Sequence, residues 1–193
     1  QAVMNDLESY YKNYVPPAQI SFKKNLQAQH AMPTDFFGNS CTTLSSPYIN
    51  NCGYDAAGQL LQWIYGPLTQ KTGNTPAGSF VQFDQSEFLP SPASHGLAPS
   101  GYLYIPPGCA GDASSCKLHV AFHGCKQYPG YIYYDWGRSR MMAMERTFAL
   151  HAGYNEWADT NDIVVLYPQA DALYVGRGGK SNPFGCWDWW GYD

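Results

Sequence analysis

Residues 117–127, KLHVAFHGCKQ, put His123, Gly124 and Cys125 directly after the apolar run Val120-Ala121-Phe122. The run reads as a buried strand, and the small and polar residues that follow stop it abruptly. In open α/β sheets, chemistry collects beyond the carboxyl ends of such strands, where loop N–H groups face whatever binds. Many acyl hydrolases build half of an oxyanion hole from a strand ending in His-Gly, because Gly lets the backbone turn and its neighbours' amides face a carbonyl. A second residue that could act on an ester is His30, stiffened by the following Ala31-Met32-Pro33-Thr34. It stands after a helix and a strand, where hydrolases often carry the last member of a catalytic triad. A surface His beside a turn is the plainer reading. His119 and His151 read as packed or solvent-facing, and His95 lies in a Pro/Ser loop with no partner in view. A thiol nucleophile at Cys125, with His123 or His30 as base, would need a free cysteine in an electropositive setting.

The chain's 193 residues suffice for one sizeable core, so residues 1–193 are expected to form one domain or a large portion of one. A net charge of −4 with scattered Lys and Arg argues against nucleic acid as a partner. No apolar run approaches the ~20 residues of a membrane helix. Aromatic residues reach 16% against 13% charged, which suits a protein that touches an apolar or polymeric ligand. There are six cysteines. Cys41 and Cys52 flank one loop and Cys109 and Cys116 another; both pairs could bridge locally, which leaves Cys125 for Cys186. The even count favours an oxidised framework and a secreted, extracellular protein. No C-x2-C pair supports a zinc site, and neither a metal nor a cofactor is expected. Any targeting segment is expected upstream of Gln1 or already removed.

The elements that must position these residues follow from the apolar spacing. Val3, Leu7, Tyr10, Tyr11 and Tyr14 predict a helix over 3–14, ended by Pro16-Pro17, and Ile20, Phe22 and Lys24 predict a short strand. Residues 35–51 read as loop. A helix is predicted over 54–65 with Ala57, Leu60, Leu61 and Ile64 inward. Strands are predicted at 80–83 and 102–105, the latter antiparallel to the central strand across the Cys109/Cys116 turn. A long helix over 138–151 and a buried parallel strand at 163–167 would complete a right-handed βαβ unit. In the tail, Trp187, Trp189 and Trp190 cannot all be buried on one face. Trp187 either lines a groove or packs as a lid over a Cys125–Cys186 bridge, and the other two are expected in the core.

Several long runs then carry a family resemblance. His119-Val120-Ala121-Phe122-His123-Gly124-Cys125 with Gln127, the stretch 153–169 (GYNEWADTNDIVVLYPQ), and Asn182-Pro183 with Gly185-Cys186-Trp187-Asp188-Trp189-Trp190-Gly191-Tyr192 closely resemble extracellular poly(3-hydroxybutyrate) depolymerases. His30-Ala31-Met32-Pro33-Thr34 and Cys52-Gly53-Tyr54-Asp55 fit as well. The His segment precedes the oxyanion segment, as in the type whose catalytic domain is circularly permuted. The resemblance implies an α/β-hydrolase-type fold, circularly permuted and incomplete in this chain. It implies His30 as the triad histidine, the Cys125 backbone N–H as an oxyanion donor, and Trp187 as an apolar wall for the polyester. The implied reaction is serine-type hydrolysis of a polyester or hydroxyalkanoate oligomer through an acyl-enzyme.

The sequence departs from that pattern in one respect: it holds no G-x-S-x-G nucleophile elbow. Gly38-Asn39-Ser40-Cys41-Thr42 and Gly137-Arg138-Ser139-Arg140-Met141 both lack the second Gly. Asp6, inside the first helix, is a poor substitute for the triad acid. The expectation is therefore that residues 1–193 are the C-terminal portion of a catalytic domain, without its nucleophile-bearing N-terminal segment and its C-terminal end. That segment, or another chain, would associate with this one to supply serine and acid. A non-catalytic polyester-binding relative, or a secreted esterase of another substrate class, are the alternatives.

Overall fold

The computed structural model describes residues 2–175 and 179–193. The first helix, α1 (Ala2–Tyr11), leaves Val3, Leu7, Tyr10 and Tyr11 exposed, and Glu8 is bound by Lys12 at 3.0 Å and Lys24 at 2.7 Å. The strand expected at residues 20–24 does not form. Alternation over so few residues, with no partner strand beside it, cannot sustain a ladder.

The region expected to be loop contains a small parallel sheet. Its strands are β1 (Met32–Thr34), β2 (Asn39–Ser40) and β3 (Ile49–Asn51), in the order β1-β3-β2. The Cys41–Cys52 disulfide closes it. The amide of buried Asn50 ties the sheet to the loop beside it: its Nδ2 donates to the Cys41 and Thr43 carbonyls at 3.1 and 2.8 Å, while its Oδ1 has no hydrogen-bond partner among the described residues.

Next comes α2 (Ala56–Tyr65), started by Asp55, whose Oδ1 accepts the Gly58 N–H at 2.8 Å as an N-cap. Ala57 and Leu61 are buried as expected, whereas Leu60 and Ile64 are exposed. Gly58 is required by contact, because a Cβ there would lie 2.4 Å from the Trp157 ring. Asp55 also accepts the Trp157 Nε1–H at 2.7 Å, so one carboxylate caps a helix and fastens its neighbour.

The main sheet is built from β4 (Ser79–Asp84), β5 (Ser100–Ile105), β6 (Lys117–Val120) and a later strand. Between them in sequence lie the hairpin β7 (Ile132–Asp135) and β8 (Arg140–Ala143), then α3 (Thr147–His151) and α4 (Tyr154–Asp159). The last strand is β9 (Ile163–Tyr167). The order is β4-β5-β9-β6, with β6 parallel to β9 and the other pairs antiparallel. Two expectations are corrected. The strand at 100–105 does not pair with β6, because β9 lies between them. The helix expected over 138–151 is a strand followed by the short α3. Asp135 turns the hairpin by accepting the Arg138 N–H at 3.0 Å, and Ser139 and Glu145 adopt positive φ at either end of β8, which no helix accommodates.

The core lies between the sheet and α2, α3 and α4. Ile163, Val165 and Tyr167 of β9 pack with Tyr104, Leu61, Phe148 and Trp157. Two buried polar side chains inside it are paired: Tyr167 OH donates to Asn155 Oδ1 at 2.7 Å, and Asn155 Nδ2 to the Ala149 carbonyl at 2.8 Å. Along β6 and the residues after it, His119, Ala121 and His123 are buried while Leu118, Val120 and Phe122 are exposed. The run expected to be buried throughout thus alternates, and among the described residues β6 is paired on one edge only. No helix among the described residues is long and apolar enough to cross a membrane.

Candidate active site

The loop beyond β6 is held by hydrogen bonds from both its backbone and its side chains. Ala121 donates to the Leu166 carbonyl at 2.9 Å, extending the pairing with β9 past the last strand residue. His123 follows, buried, with Nε2 accepting the Ala170 N–H at 3.1 Å and Nδ1 donating to the Gly124 carbonyl at 2.8 Å. Those partners require the neutral imidazole, and burial pushes its pKa down to about 4. His123 is therefore a structural pin and not a base. The Gly124 N–H donates to Gln127 Oε1 at 2.7 Å, the Lys126 N–H to the Phe184 carbonyl at 2.7 Å, and the Gln127 N–H to the Gly124 carbonyl at 3.2 Å. Between them the Cys125 N–H has no acceptor among the described residues, and Cys125 is exposed. An unbonded amide on an exposed residue, set between the bonded amides of Gly124, Lys126 and Gln127, can serve as a preorganised donor.

Cys125 is disulfide-bonded to Cys186, and the described residues include no free cysteine. This removes the thiol-nucleophile reading. The bridge fastens the loop to a turn built on Asn182, which is fully buried. Its Oδ1 accepts the Cys186 N–H at 2.9 Å, and its Nδ2 donates to the Cys186 carbonyl at 2.7 Å. Gly185 in this turn has φ +56°, and a Cβ there would meet the Tyr128 ring at 2.2 Å, so both conformation and space demand glycine. Trp187 follows, half-buried. Its Nε1–H donates to the His123 carbonyl at 2.8 Å, and its ring meets Phe122 edge-on at 4.9 Å. Trp187 thus has a fixed orientation beside the free amide. Trp189, expected in the core, is 80% exposed, and Trp190 is half-buried against Tyr192.

His30 is exposed, and its ring makes no hydrogen bond among the described residues. Its backbone neighbours are fixed: the Gln29 N–H donates to the Cys41 carbonyl at 3.0 Å, and the Met32 N–H to the Tyr48 carbonyl at 2.9 Å. The Tyr48 carbonyl also accepts Gln127 Nε2 at 3.2 Å, and Pro47 accepts the same amide at 2.9 Å. The His30 and Cys125 segments therefore meet at one carbonyl. Gln127 appeared in the sequence only as part of a motif; its place three residues after Gly124 is the one local signal that it could reach back. The other histidines stand apart. His119 lies against Tyr65 and Tyr154, and His151 is stacked on Phe37. His95, for which no partner was in view, faces Asp193 at 2.6 Å on the surface.

No family model matches the chain. A poly(3-hydroxybutyrate) depolymerase of Delftia acidovorans is 42% identical over 193 residues, which cover 99% of this chain and 34% of that protein. A polyhydroxybutyrate depolymerase of Talaromyces funiculosus is 42% identical over 198 residues, 98% of this chain and 54% of that protein. The chain is a homologue of the poly(3-hydroxybutyrate) depolymerases. The crystal structure of PHB depolymerase from Penicillium funiculosum matches with a TM-score of 0.80 at 41% identity, over 98% of this chain and 57% of that one. A second depolymerase structure, a serine-to-alanine variant complexed with an R3HB trimer, matches with a TM-score of 0.78 at 41% identity, over 97% and 57% of the two chains. The fold is that of these depolymerases, of α/β-hydrolase type. The chain spans between a third and somewhat over half of the length of these relatives.

Proposed function

We propose that this chain carries the oxyanion and histidine side of a secreted serine esterase that cleaves poly(3-hydroxybutyrate) or its oligomers. The observation that carries the reading is the Cys125 N–H, free among the described residues and joined through Gln127 and Tyr48 to the segment bearing His30. The 42% identity to depolymerases over nearly the whole chain supports the substrate class. The three disulfides suit an oxidising, extracellular compartment.

In this reading a serine hydroxyl attacks the ester carbonyl while His30 takes its proton. The Cys125 N–H stabilises the resulting oxyanion, and His30 returns the proton to the departing hydroxyl. Water then attacks the acyl-enzyme by the same route. Trp187 and Phe122 wall the apolar side of the acyl chain. The serine and the acid partner of His30 come from a segment outside residues 1–193, or from another chain, packed against the open edge of β6. The exposed Leu118, Val120 and Phe122 support that placement, as apolar surface beside an unpaired strand edge is normally covered.

The deciding experiment treats the complete protein with a fluorophosphonate probe and maps the labelled peptide. A labelled serine outside this sequence, with hydrolysis lost by roughly 10³- to 10⁴-fold in His30→Ala, supports the reading. Labelling and turnover that are indifferent to His30→Ala would remove this histidine from the mechanism. The lack of a G-x-S-x-G elbow in residues 1–193 favours one second reading, a relative that binds polyester without cutting it. No label together with retained oligomer binding would establish that alternative.

A further inference from the structure

Between the small parallel sheet and the β7–β8 hairpin lies a cleft of about 670 Å³, a size usual for small-molecule sites. One wall follows from the hairpin's register. Tyr133 pairs with Met142 and Asp135 with Arg140, so alternation sets these four side chains on one face, and all four line the cleft. Phe37, the Ser45-Ser46 turn and, from α3, Thr147 and His151 also line it, whereas His30, Cys125 and Trp187 do not. The polar groups of this lining are not spent on one another. Asn39 Nδ2 donates to the Ser45 and Ser46 carbonyls at 3.1 and 3.3 Å, which holds the turn while its two hydroxyls make no hydrogen bond among the described residues. The Tyr133 and Thr147 hydroxyls and the half-buried His151 ring are likewise unbonded there. Half-buried polar groups on three separate elements, each with its bonding capacity open toward one cleft, make the lining of a polar-ligand site.

Charge narrows the class of ligand. Asp135 binds Arg138 at 2.7 Å, so those two offset each other. Arg140 has no carboxylate partner among the described residues. Its Nε donates to Met142 Sδ at 3.1 Å, which orients the guanidinium and leaves its terminal nitrogens unbonded. Burial holds the His151 pKa below its ordinary value, so the ring is neutral at neutral pH and Arg140 is the uncompensated charge of the cleft. An open guanidinium takes a carboxylate bidentately. The unbonded hydroxyls suit a hydroxyl group, and Phe37 and Met142 suit a short aliphatic chain. We propose that this cleft is a second ligand site that takes a small hydroxycarboxylate, the chemical class released by hydrolysis of a hydroxyalkanoate ester, and restrains turnover when filled. The choice of ligand rests on the polyester reading above. The link to turnover runs through Pro47, which lines the cleft and whose carbonyl accepts Gln127 Nε2 at 2.9 Å. Gln127 Oε1 in turn holds the Gly124 N–H at 2.7 Å, next to the Cys125 amide. An occupant that presses on the Pro47 turn shifts that amide without competing for the reacting groups.

The test is calorimetric titration of the full chain with 3-hydroxybutyrate, with butyrate and with methyl 3-hydroxybutyrate, for the parent, Arg140→Gln and Thr147→Val. The parent is expected to bind 3-hydroxybutyrate more tightly than butyrate, which lacks the hydroxyl, and the uncharged ester least. Arg140→Gln should weaken 3-hydroxybutyrate binding by about tenfold or more through loss of a charge-assisted pair. Thr147→Val keeps the side chain's shape and should weaken binding in the same direction, with the circular dichroism spectrum unchanged. Binding that neither substitution weakens lies elsewhere and overturns the proposal, and equal affinity for butyrate overturns the hydroxycarboxylate class. In the complete protein acting on a soluble ester, 3-hydroxybutyrate should lower kcat with KM unchanged. Arg140→Gln should relieve that inhibition while its rate without added product matches the parent's. Purely competitive inhibition, indifferent to Arg140→Gln, overturns the restraint on turnover. Ester hydrolysis by the complete protein with no 3-hydroxybutyrate binding by the parent chain overturns the proposal and leaves the polyester reading standing. Arg140-dependent binding without any ester hydrolysis supports the site and removes that reading.

Discussion

A side-chain amide joins the two halves of the candidate site. Gln127 accepts from the Gly124 N–H at 2.7 Å while its Nε2 donates to the Pro47 and Tyr48 carbonyls. Gln127→Leu keeps the bulk and removes both functions, so the Cys125 amide loses its fixed aim and the His30 segment its tie. Turnover is expected to fall by about tenfold or more with KM nearly unchanged, since donor alignment matters most in the transition state. Steady-state kinetics of the complete protein on a soluble ester would check this split. Glu156 in α4 presents a different residue-scale problem. It is buried, its Oε2 has no hydrogen-bond partner among the described residues, and burial pushes its pKa up to about 7 despite Lys71, with Asp55 and Asp35 adding to the rise. A carboxyl whose pKa is higher folded than unfolded favours the folded state below its unfolded pKa. That contribution is lost as pH rises from about 4.5 to about 7, on the order of 3 kcal/mol. Glu156→Gln should flatten the dependence of stability on pH across that window in denaturant titrations. A slope equal to the parent's would place the titration elsewhere. The His-Gly ending of β6 and the His30 turn could be singled out in the sequence because the motifs that suggest such loops are local. Gln127 and Glu156 could not, because their roles depend on residues distant in sequence.

At the scale of elements, apolar spacing found α1, α2, β4, β5, β6 and β9 but not which strands adjoin. The short Cys109–Cys116 loop suggested that β5 and β6 pair, yet a bridged loop only limits how far two strand ends can separate. The most apolar strand, β9, takes the centre between them, with Ile163, Val165 and Tyr167 fully buried on one face and Val164 and Leu166 half-buried on the other. The 138–151 stretch was misread because Met141, Met142, Met144 and Phe148 satisfy helical spacing, while the decisive signals are single positive-φ residues, Ser139 and Glu145, that carry no glycine flag. The α2–α4 contact was likewise hidden, although it is among the tightest in the molecule. Gly58→Ala would press a methyl group to 2.4 Å from Trp157, whose indole N–H is already committed to Asp55. Overpacking of that kind costs about 1–3 kcal/mol. Chemical denaturation should show the loss, and Trp157 fluorescence should shift, whereas an unchanged midpoint would mean that the two helices separate more easily than their packing implies.

For the whole molecule, the balance of covered and uncovered surface runs along a clear line. Behind β9 the core is closely packed and most of its polar groups are paired, whereas α1, the Leu60 and Ile64 side of α2, and the Leu118, Val120 and Phe122 side of β6 are open. The apolar residues of α1 were legible as a helix face, but periodicity alone cannot tell a face that meets this chain from one that meets something else. What keeps the oxyanion-type loop in place on this open side is the tail, and the tail is attached to it by Cys125–Cys186. The three bridges differ in the loops they close, with sequence separations of 11, 7 and 61 residues. Chain entropy alone makes the last worth about 4 kcal/mol and the two local ones about 2 to 3 kcal/mol each. The double variant Cys125→Ala, Cys186→Ala should therefore lower stability more than Cys41→Ala, Cys52→Ala or Cys109→Ala, Cys116→Ala. It should also be the only one of the three to reduce turnover of the complete protein below its melting range, because it alone releases the loop whose amide is proposed as the oxyanion donor. Equal losses of stability among the three would show that the tail is held by Asn182 and the Trp187–His123 hydrogen bond rather than by the bridge. Unaltered turnover in Cys125→Ala, Cys186→Ala would show that the Gln127 tie suffices to aim the Cys125 N–H.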